Sequence, residues 1–315
     1  MAWKQNIIED FKQLVSFDSI SFHERNTADW LLARLKSMGF SVEEDQAGAY
    51  YGGDTGNIFA VLDGELEGDP VIFCAHMDVV EPGSGKKSIV EEDGTIHSAG
   101  DTVLGADDIS GILEILYGVQ LVIDSGKPHK KIELLFTIGE ELYVKGSDVF
   151  DYSKVTAKQA YVLDLSEETT FNIGTIQGGT VTNIVPDCCV LTGEIRSYDH
   201  GKALETVRMT ERIFTEEAQK INATAEVTSQ IHLIAYETPL ESKSVTDFQK
   251  ACEILGFSGE LTGTFGGSDN NSFAKNGIEG LVLSNGMYNA HSTREYTTVD
   301  DLYKGAELIG QLILL

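Results

Sequence analysis

Histidines and carboxylates in this 315-residue chain stand repeatedly at the ends of apolar runs. His76 and Asp78 close VIFCAHMD, Asp107 and Asp108 lie in LGADDISG, and Glu140 and Glu141 follow LLFTIG. Asp164 ends AYVLDL, and His291 stands in NAHSTREY. These side chains are nitrogen and oxygen donors of the kind that zinc takes. An apolar run of strand length that stops at such a donor places it at a strand's end. In an open α/β sheet, sites form in the crevice outside the carboxyl ends of the strands. Together these segments offer more donors than one zinc needs, and the chemistry they point to is hydrolysis assisted by two metal ions.

His76 and Asp78 flank one residue, so on an extended strand their side chains share a face. A metal-bound histidine usually gives its second ring N–H to an acceptor that fixes the tautomer, and Asp78 is spaced to do this for His76. A surface histidine beside an acid would read the same way. Asp107 and Asp108 sit at a strand-to-helix junction, where the helix dipole favours a carboxylate and Asp is a common N-cap. A carboxylate also has two oxygens, so Asp107 could bridge two ions about 3.5–4 Å apart. Gly105 and Gly111 leave room there for close backbone approach. A turn after Gly139 could aim Glu140 and Glu141 into one cleft, one as ligand and the other as general base on the attacking water. Asp164 follows a mostly apolar run, a costly place for an acid unless it is solvated or paired. A lone histidine such as His291 in a polar loop has little specificity.

The elements that must position these residues follow from periodicity. The start, MAWKQNIIEDFKQLVSF, reads as an amphipathic helix. Ser21 and Glu24 have capping-box spacing ahead of a second helix with Trp30, Leu31, Leu35 and Met38 on its apolar positions, and Gly39 ends it. NIFAVLDG, PVIFCAHMD, KIELLFTIG and AYVLDL read as strands, and ISGILEILYGVQLVI as a helix that begins just after Asp107 and Asp108. The Gly-rich stretch between Glu81 and Gly105 reads as loop or short hairpin. Strands alternating with helices mark an α/β layer architecture. The character changes at about residue 166. TTFNIGTI, GTVTNIVP and CCVLTGEIRS read as β-rich runs, followed by a helix over roughly 202–221 and a strand at TAEVTSQI. Alternation resumes with SVTDFQKACEILGF as helix, GLVLSNG as strand and a closing helix. The expected division is a discontinuous catalytic unit, 1–165 and 235–315, with a small α+β insert at 166–234.

Composition narrows the partners. The chain has 50 acidic against 23 basic residues, a net charge of −27. Nucleic acid and anionic membrane both need a basic face, so neither is an expected partner. No apolar run approaches the roughly 18 residues of a membrane span, and the start is no signal peptide. Cys188 and Cys189 are adjacent, Cys74 lies in an apolar strand and Cys252 in a helical pattern, which is no disulfide framework. The expected location is the cytoplasm.

HMD, DTVLGADDISG, TIGEEL, the Asp of VLDL, GGTVTNIVPD with EIRS, GGSDNNSFAKNGI and GMYNAHSTREYTTVDDL occur in the order seen in dinuclear zinc aminoacylases and carboxypeptidase G. Over nearly its whole length the chain resembles that superfamily, and most of all its peptidase T-like metallopeptidases. The resemblance implies an α/β fold with a zinc-exopeptidase-like mixed β-sheet, helices on both faces and a small inserted α+β lid. It implies two Zn2+ per chain: His76 and Asp164 on one, Glu141 and His291 on the other, and Asp107 bridging. Glu140 would be the general base, Asp78 would orient His76, and the Asp107–Asp108 peptide would be cis. In the lid, Asn183 and Arg196 would bind the substrate carboxylate or carbonyl, a task that suits Arg. Gly266 and Gly267 would form a close-approach loop beside the cleft.

Two departures stand out. Most relatives have Lys two residues after the bridging Asp, where this chain has Ile109. Relatives also carry a further stretch after the Asp164 strand, with a His that stabilises the developing oxyanion, often across a dimer interface. Here LDLSEE passes directly to TTFNIGTIQGG, with no His from 165 to 199, and His200 and His232 match no such motif. The lid is therefore expected to be shortened, and a homodimer is left open. The implied activity is that of a zinc-dependent exopeptidase on short peptides, tripeptide aminopeptidase-like. The alternatives are a related amidase or carboxypeptidase, or a metal- or peptide-binding protein whose turnover has weakened with its lid.

Overall fold

The structure, a computed structural model, describes residues 2–164, 171–264 and 266–315. The division expected between residues 165 and 166 lies outside the described residues. Up to Leu163 the chain forms α1 (Ala2–Val15), α2 (Arg25–Ser37), β1 (Ser41–Glu44), α3 (Ala47–Tyr51), β2 (Ile58–Leu62), β3 (Val71–His76), β4 (Ser88–Val90), β5 (Thr95–Ser98), α4 (Ala106–Ser125), β6 (Ile132–Thr137), α5 (Lys145–Val149) and β7 (Gln159–Leu163). Then follow β8 (Phe171–Gly178), β9 (Cys189–Ile195), α6 (His200–Lys220), α7 (Lys243–Leu255), α8 (Asn270–Lys275), β10 (Glu279–Leu283), β11 (Tyr296–Thr298) and α9 (Val299–Ile313).

The main sheet has the order β1-β2-β6-β3-β7-β10. β1, β2 and β6 pair antiparallel, while β6, β3, β7 and β10 run parallel. Strands with both faces covered read as near-continuous apolar runs, and β3, β6 and β7 are buried throughout, with Glu133 of β6 hydrogen-bonded to Thr156 and Ala157. Along β3 the pleat sends Val71, Phe73 and Ala75 into one apolar cluster and Ile72 and Cys74 into another. The larger cluster lies against α1, α2, α4 and α9, and the smaller contains Phe150, Phe273 and Ile278. The sheet is therefore mixed and covered by helices on both faces, the expected class.

The chain forms two compact units, one of Met1–Leu165, Thr238–Thr262 and Gly267–Leu315 and another of Ser166–Glu237 and Gly263–Gly266. In the second unit, β8 and β9 pair antiparallel as a two-stranded sheet. Among residues 172–237 no residue is buried, and α6 buries none over its 21 residues. Two strand expectations fail here. GTVTNIVP is the turn between β8 and β9: Gly179 adopts φ +80° and Pro186 has no N–H for a ladder. TAEVTSQI has irregular backbone. Alternating residues become a strand only where a neighbour supplies the ladder, and the described sheet of this unit is β8 and β9 alone.

The capping box expected at Ser21 and Glu24 is not formed. Glu24 itself is the residue before α2 and makes no side-chain cap. Ser21 Oγ donates to Asp78 Oδ2 at 2.7 Å, and Glu24 Oε1 accepts from Phe22 N and from Gly139 N. Both side chains instead serve the strand ends, Ser21 as one donor among several to Asp78 and Glu24 as an acceptor for Gly139 N. No helix among the described residues is long and apolar enough to cross a membrane.

α4 is apolar nearly all round and lies against α9, with Gly118 at the crossing. A Cβ on Gly118 would stand 2.6 Å from Ile309 Cβ and 2.9 Å from the Ala306 carbonyl oxygen. Gly118→Val should therefore lower the unfolding free energy by about 1–3 kcal/mol through overpacking, read as a lower urea midpoint at unchanged m-value. An unchanged midpoint would show that the two helices separate at little cost.

Candidate metal centre

The parallel strands end together. His76 closes β3 opposite Thr137 of β6, and Leu163 of β7 pairs with Leu283 of β10. Asp164 follows β7, and Glu140 and Glu141 open a 3-10 turn, Glu140–Leu142, after β6. Asp107 lies at the start of α4, where Asp107 and Asp108 have non-helical backbone and share a cis peptide bond. His291 comes from the loop after β10, which is fixed at its far end where β11 pairs with β5.

Asp107 is the meeting point. Its Oδ1 lies 3.1 Å from His76 Nε2 and its Oδ2 lies 3.3 Å from His291 Nε2. His291 Nε2 is also 3.0 Å from Glu141 Oε2. Donor atoms of His76, Asp107 and Glu141 lie within 4.8 Å of one another, as do those of His76, Glu140 and Asp164. The structure thus brings His76, Asp107, Glu140, Glu141, Asp164 and His291 into one cluster.

Asp78 has a wider part than orienting His76. His76 Nδ1 is 3.0 Å from the Asp78 carbonyl oxygen and 3.5 Å from Asp78 Oδ1, so the main chain gives the closer contact. The Asp78 carboxylate accepts from the main-chain N–H groups of Glu140 and Glu141 as well as from Ser21. It therefore ties the turn bearing both glutamates to the strand bearing His76. Asp108 faces away from this cluster. It accepts from His76 N, Gly111 N and Asn285 Nδ2, binding three elements into a frame.

The electrostatics of the cluster are those of crowded, buried acids. Burial pushes the Glu140 carboxyl well above the usual range, and the neighbouring charge of Asp164 adds to this. Burial raises Glu141 and Asp108 as well. For Asp107 burial acts in the same direction, but the hydrogen bonds from His291 and His76 outweigh it and hold the carboxyl below the usual range. The hydrogen bond to Asp107 lifts His291 to about 11. Buried acids that repel one another around two imidazoles form a donor set suited to divalent cations, whose charge would relieve the repulsion. The residues present fit a metal pair.

Sequence reasoning singled out neither Asp269 nor Glu295, Asn285 or Lys86, and it placed Glu24 in a helix cap rather than beside the cluster. Asp269 is buried beneath the turn, accepts from Thr137 Oγ1 and has Cys74 Sγ 3.6 Å away. Its charge also raises Glu140. Burial, helped by Asp78, pushes Glu24 up to about 8. Asp269 follows the glycines of GGSDNN and Glu295 stands four residues after His291, but neither has a periodic pattern to mark it. Of the residues expected to meet substrate, Asn183 is exposed in the β8–β9 turn, and Arg196 Nε and Nη2 donate to the two oxygens of Glu194. Gly266 and Gly267 are half-buried and fall on opposite sides of the division between the units.

The profile described as peptidase family M20/M25/M40 matches residues 72–315. Protein YqjE of Bacillus subtilis, described as uncharacterized, is 28% identical over 367 aligned positions spanning 99% of each chain. Aminopeptidase PepT of Bacillus cereus has a solved structure that matches with a TM-score of 0.87 at 27% identity, covering 98% of each chain. A tripeptidase of Staphylococcus aureus reaches a TM-score of 0.92 at 25% identity, covering 98% of this chain and 97% of the other. An alignment of 367 positions that takes in nearly all of both chains leaves this one, at 315 residues, the shorter, in keeping with a shortened insert.

The loop entering Asp107 rests on a buried cation. Lys86 Nζ donates to the carbonyls of Phe17 and Gly83, and its methylenes lie against Gly105, which adopts φ +80°. Burial lowers the Lys86 pKa to about 8, against about 10.4 in an unfolded chain. A depressed folded-state pKa contributes stability that is present above the unfolded value and is lost as pH falls through the folded one. Lys86→Met lacks this dependence, so its stability relative to the parent should fall by about 3 kcal/mol as pH rises from about 7 to above 10. Urea unfolding of both proteins at several pH values measures this. A constant difference would mean that Lys86 titrates at its ordinary value.

Proposed function

As a member of peptidase family M20/M25/M40, the protein is a metallo-exopeptidase, and we propose that it hydrolyses short peptides, tripeptides above all, in the cytoplasm with two zinc ions per chain. The observation that carries this reading is Asp107, with a histidine nitrogen at each carboxylate oxygen. In this reading His76 and Asp164 would hold one ion, Glu141 and His291 would hold the other, and Asp107 would serve both. When bound, such a pair of ions lowers the pKa of a captured water and polarises the scissile carbonyl.

The chain's own residues do the rest. Glu140 takes the proton of the attacking water and passes it to the leaving amine as the C–N bond breaks. Its place beside the donor atoms of His76 and Asp164 suits a group that must act on a water held there. Asp78 keeps the Glu140 main chain in place through its hydrogen bond at 2.9 Å. Arg196 and Asn183 bind the substrate's carboxylate or carbonyl, with Arg196 exchanging its Glu194 partner for the ligand. The resemblance to a tripeptidase and an aminopeptidase supports peptides with a free amino terminus. A panel of tripeptides with free, acetylated or amidated ends tests this: cleavage of the free peptides but not the acetylated ones is expected, and cleavage of the free and acetylated peptides but not the amidated ones would favour a carboxypeptidase.

Elemental analysis after zinc saturation should give two ions per chain, and one or fewer would remove the dinuclear reading. Glu140→Ala should keep near-normal metal content while turnover falls by several orders of magnitude. Glu141→Ala should lose metal instead. Metal loss in Glu140→Ala alone would reverse the two roles.

A weakened catalyst is a second reading, favoured by the unburied insert and the absence of a His from 165 to 199. A missing oxyanion donor costs roughly 100- to 1000-fold in kcat. Steady-state kinetics beside the Staphylococcus aureus tripeptidase should show similar KM and depressed kcat, the pattern of an interaction lost in the transition state. Equal kcat would show that another group, such as His200 or His232, has taken over.

A further inference from the structure

Glu295 is buried, lies four residues after His291 and has no part in the reaction above. Both of its oxygens are filled by main-chain N–H groups from the loop that enters α4. Leu104 N and Gly105 N donate to Oε2, each at 2.8 Å, and Asp107 N donates to Oε1 at 2.9 Å. We infer that Glu295 is a positioning residue that sets the Asp107 carboxylate by holding the backbone on which it is mounted. The inference rests on the bridging role proposed for Asp107.

Three features of the site lead to it. Asp107 and Asp108 have non-helical backbone and Asp108 caps the helix proper at Gly111 N, so the N–H groups of Leu104, Gly105 and Asp107, which lie ahead of it, need an outside acceptor. Glu295 supplies one from nearly the other end of the chain. Second, the loop bearing Glu295 also delivers His291 Nε2 to within 3.3 Å of Asp107 Oδ2. One loop thereby grips Asp107 by its main chain and by its carboxylate. Third, the loop is anchored immediately after Glu295, where Tyr296 pairs with His97 and Thr297 with Ile96. An acid fits here where an amide does not, because three donors converge and the amide nitrogen of Gln would bring a fourth.

The consequence is specific to a shared ligand. If Glu295 only stabilised the fold, its loss would lower stability and leave the ions' affinities alone. If it places the carboxylate common to both ions, its loss must weaken both in parallel, whereas loss of His291 weakens one.

The test is chelator competition on the zinc-loaded protein for Glu295→Gln, His291→Ala and Asp107→Asn, with kcat and KM measured alongside. Glu295→Gln should lower affinity at both positions by about 10- to 100-fold, the range for groups that orient metal ligands, and reduce kcat more than KM. Wild-type affinity at either position overturns the inference. Should Glu295→Gln fail to fold, amide hydrogen exchange on the metal-free parent protein decides. Slow exchange at Leu104, Gly105 and Asp107 supports the inference, and exchange as fast as in exposed loops overturns it. Asp107→Asn separates the two levels. If it retains both ions, the bridging reading is wrong. If it loses them while Glu295→Gln does not, only the role of Glu295 is wrong.

Discussion

The Asp107 carboxylate has an imidazole nitrogen at each oxygen and buried acids on either side, and this crowding of like charge is the constraint around which the catalytic unit is built. Buried carboxylates are costly unless each oxygen is satisfied or a cation is near. The chain meets that cost first with main-chain N–H groups. Asp78 takes those of Glu140 and Glu141, Asp108 those of His76 and Gly111, and Glu295 those of Leu104, Gly105 and Asp107. Acids that face away from the cluster accept main-chain N–H groups, and those that face into it stand beside one another and the two imidazoles, a donor set suited to divalent cations.

The arrangement also explains why β3 before His76 and β7 from Ala160 onward carry only buried, largely apolar side chains. An apolar run buried on both faces that ends in a polar residue presents that residue at a fixed place at the strand's end. His76 and Asp164 are delivered in this way. Glu140 and Glu141 come one turn later, on a segment held by Asp78 and Glu24. Ser21 and Glu24, from the segment before α2, are drawn into the same framework.

The insert is a physical contrast. β8 and β9 make a two-stranded sheet, and α6 is a helix of 21 residues with none buried. Two strands alone are marginal in water, and an amphipathic helix gains most of its stability from packing. Its Arg196 finds its partner on its own strand, in Glu194. A part of the fold with so little buried area contributes little stability of its own.

The sequence by itself determined the class of the fold, most element positions and the residues gathered at the centre. It could do so because a strand that ends in a donor writes that donor next to an apolar run. Only the tertiary structure decided the partners of Ser21 and Glu24, whose capping-box spacing has no way of recording that Asp78 and Gly139 compete for them. It likewise decided that GTVTNIVP turns and TAEVTSQI stays irregular, because β structure depends on a neighbouring strand that local sequence does not contain. Glu295, Asp269, Asn285 and Lys86 escaped for a related reason. Each acts through contacts with segments far away in the chain, and a side chain that serves a distant backbone leaves no period in its own neighbourhood.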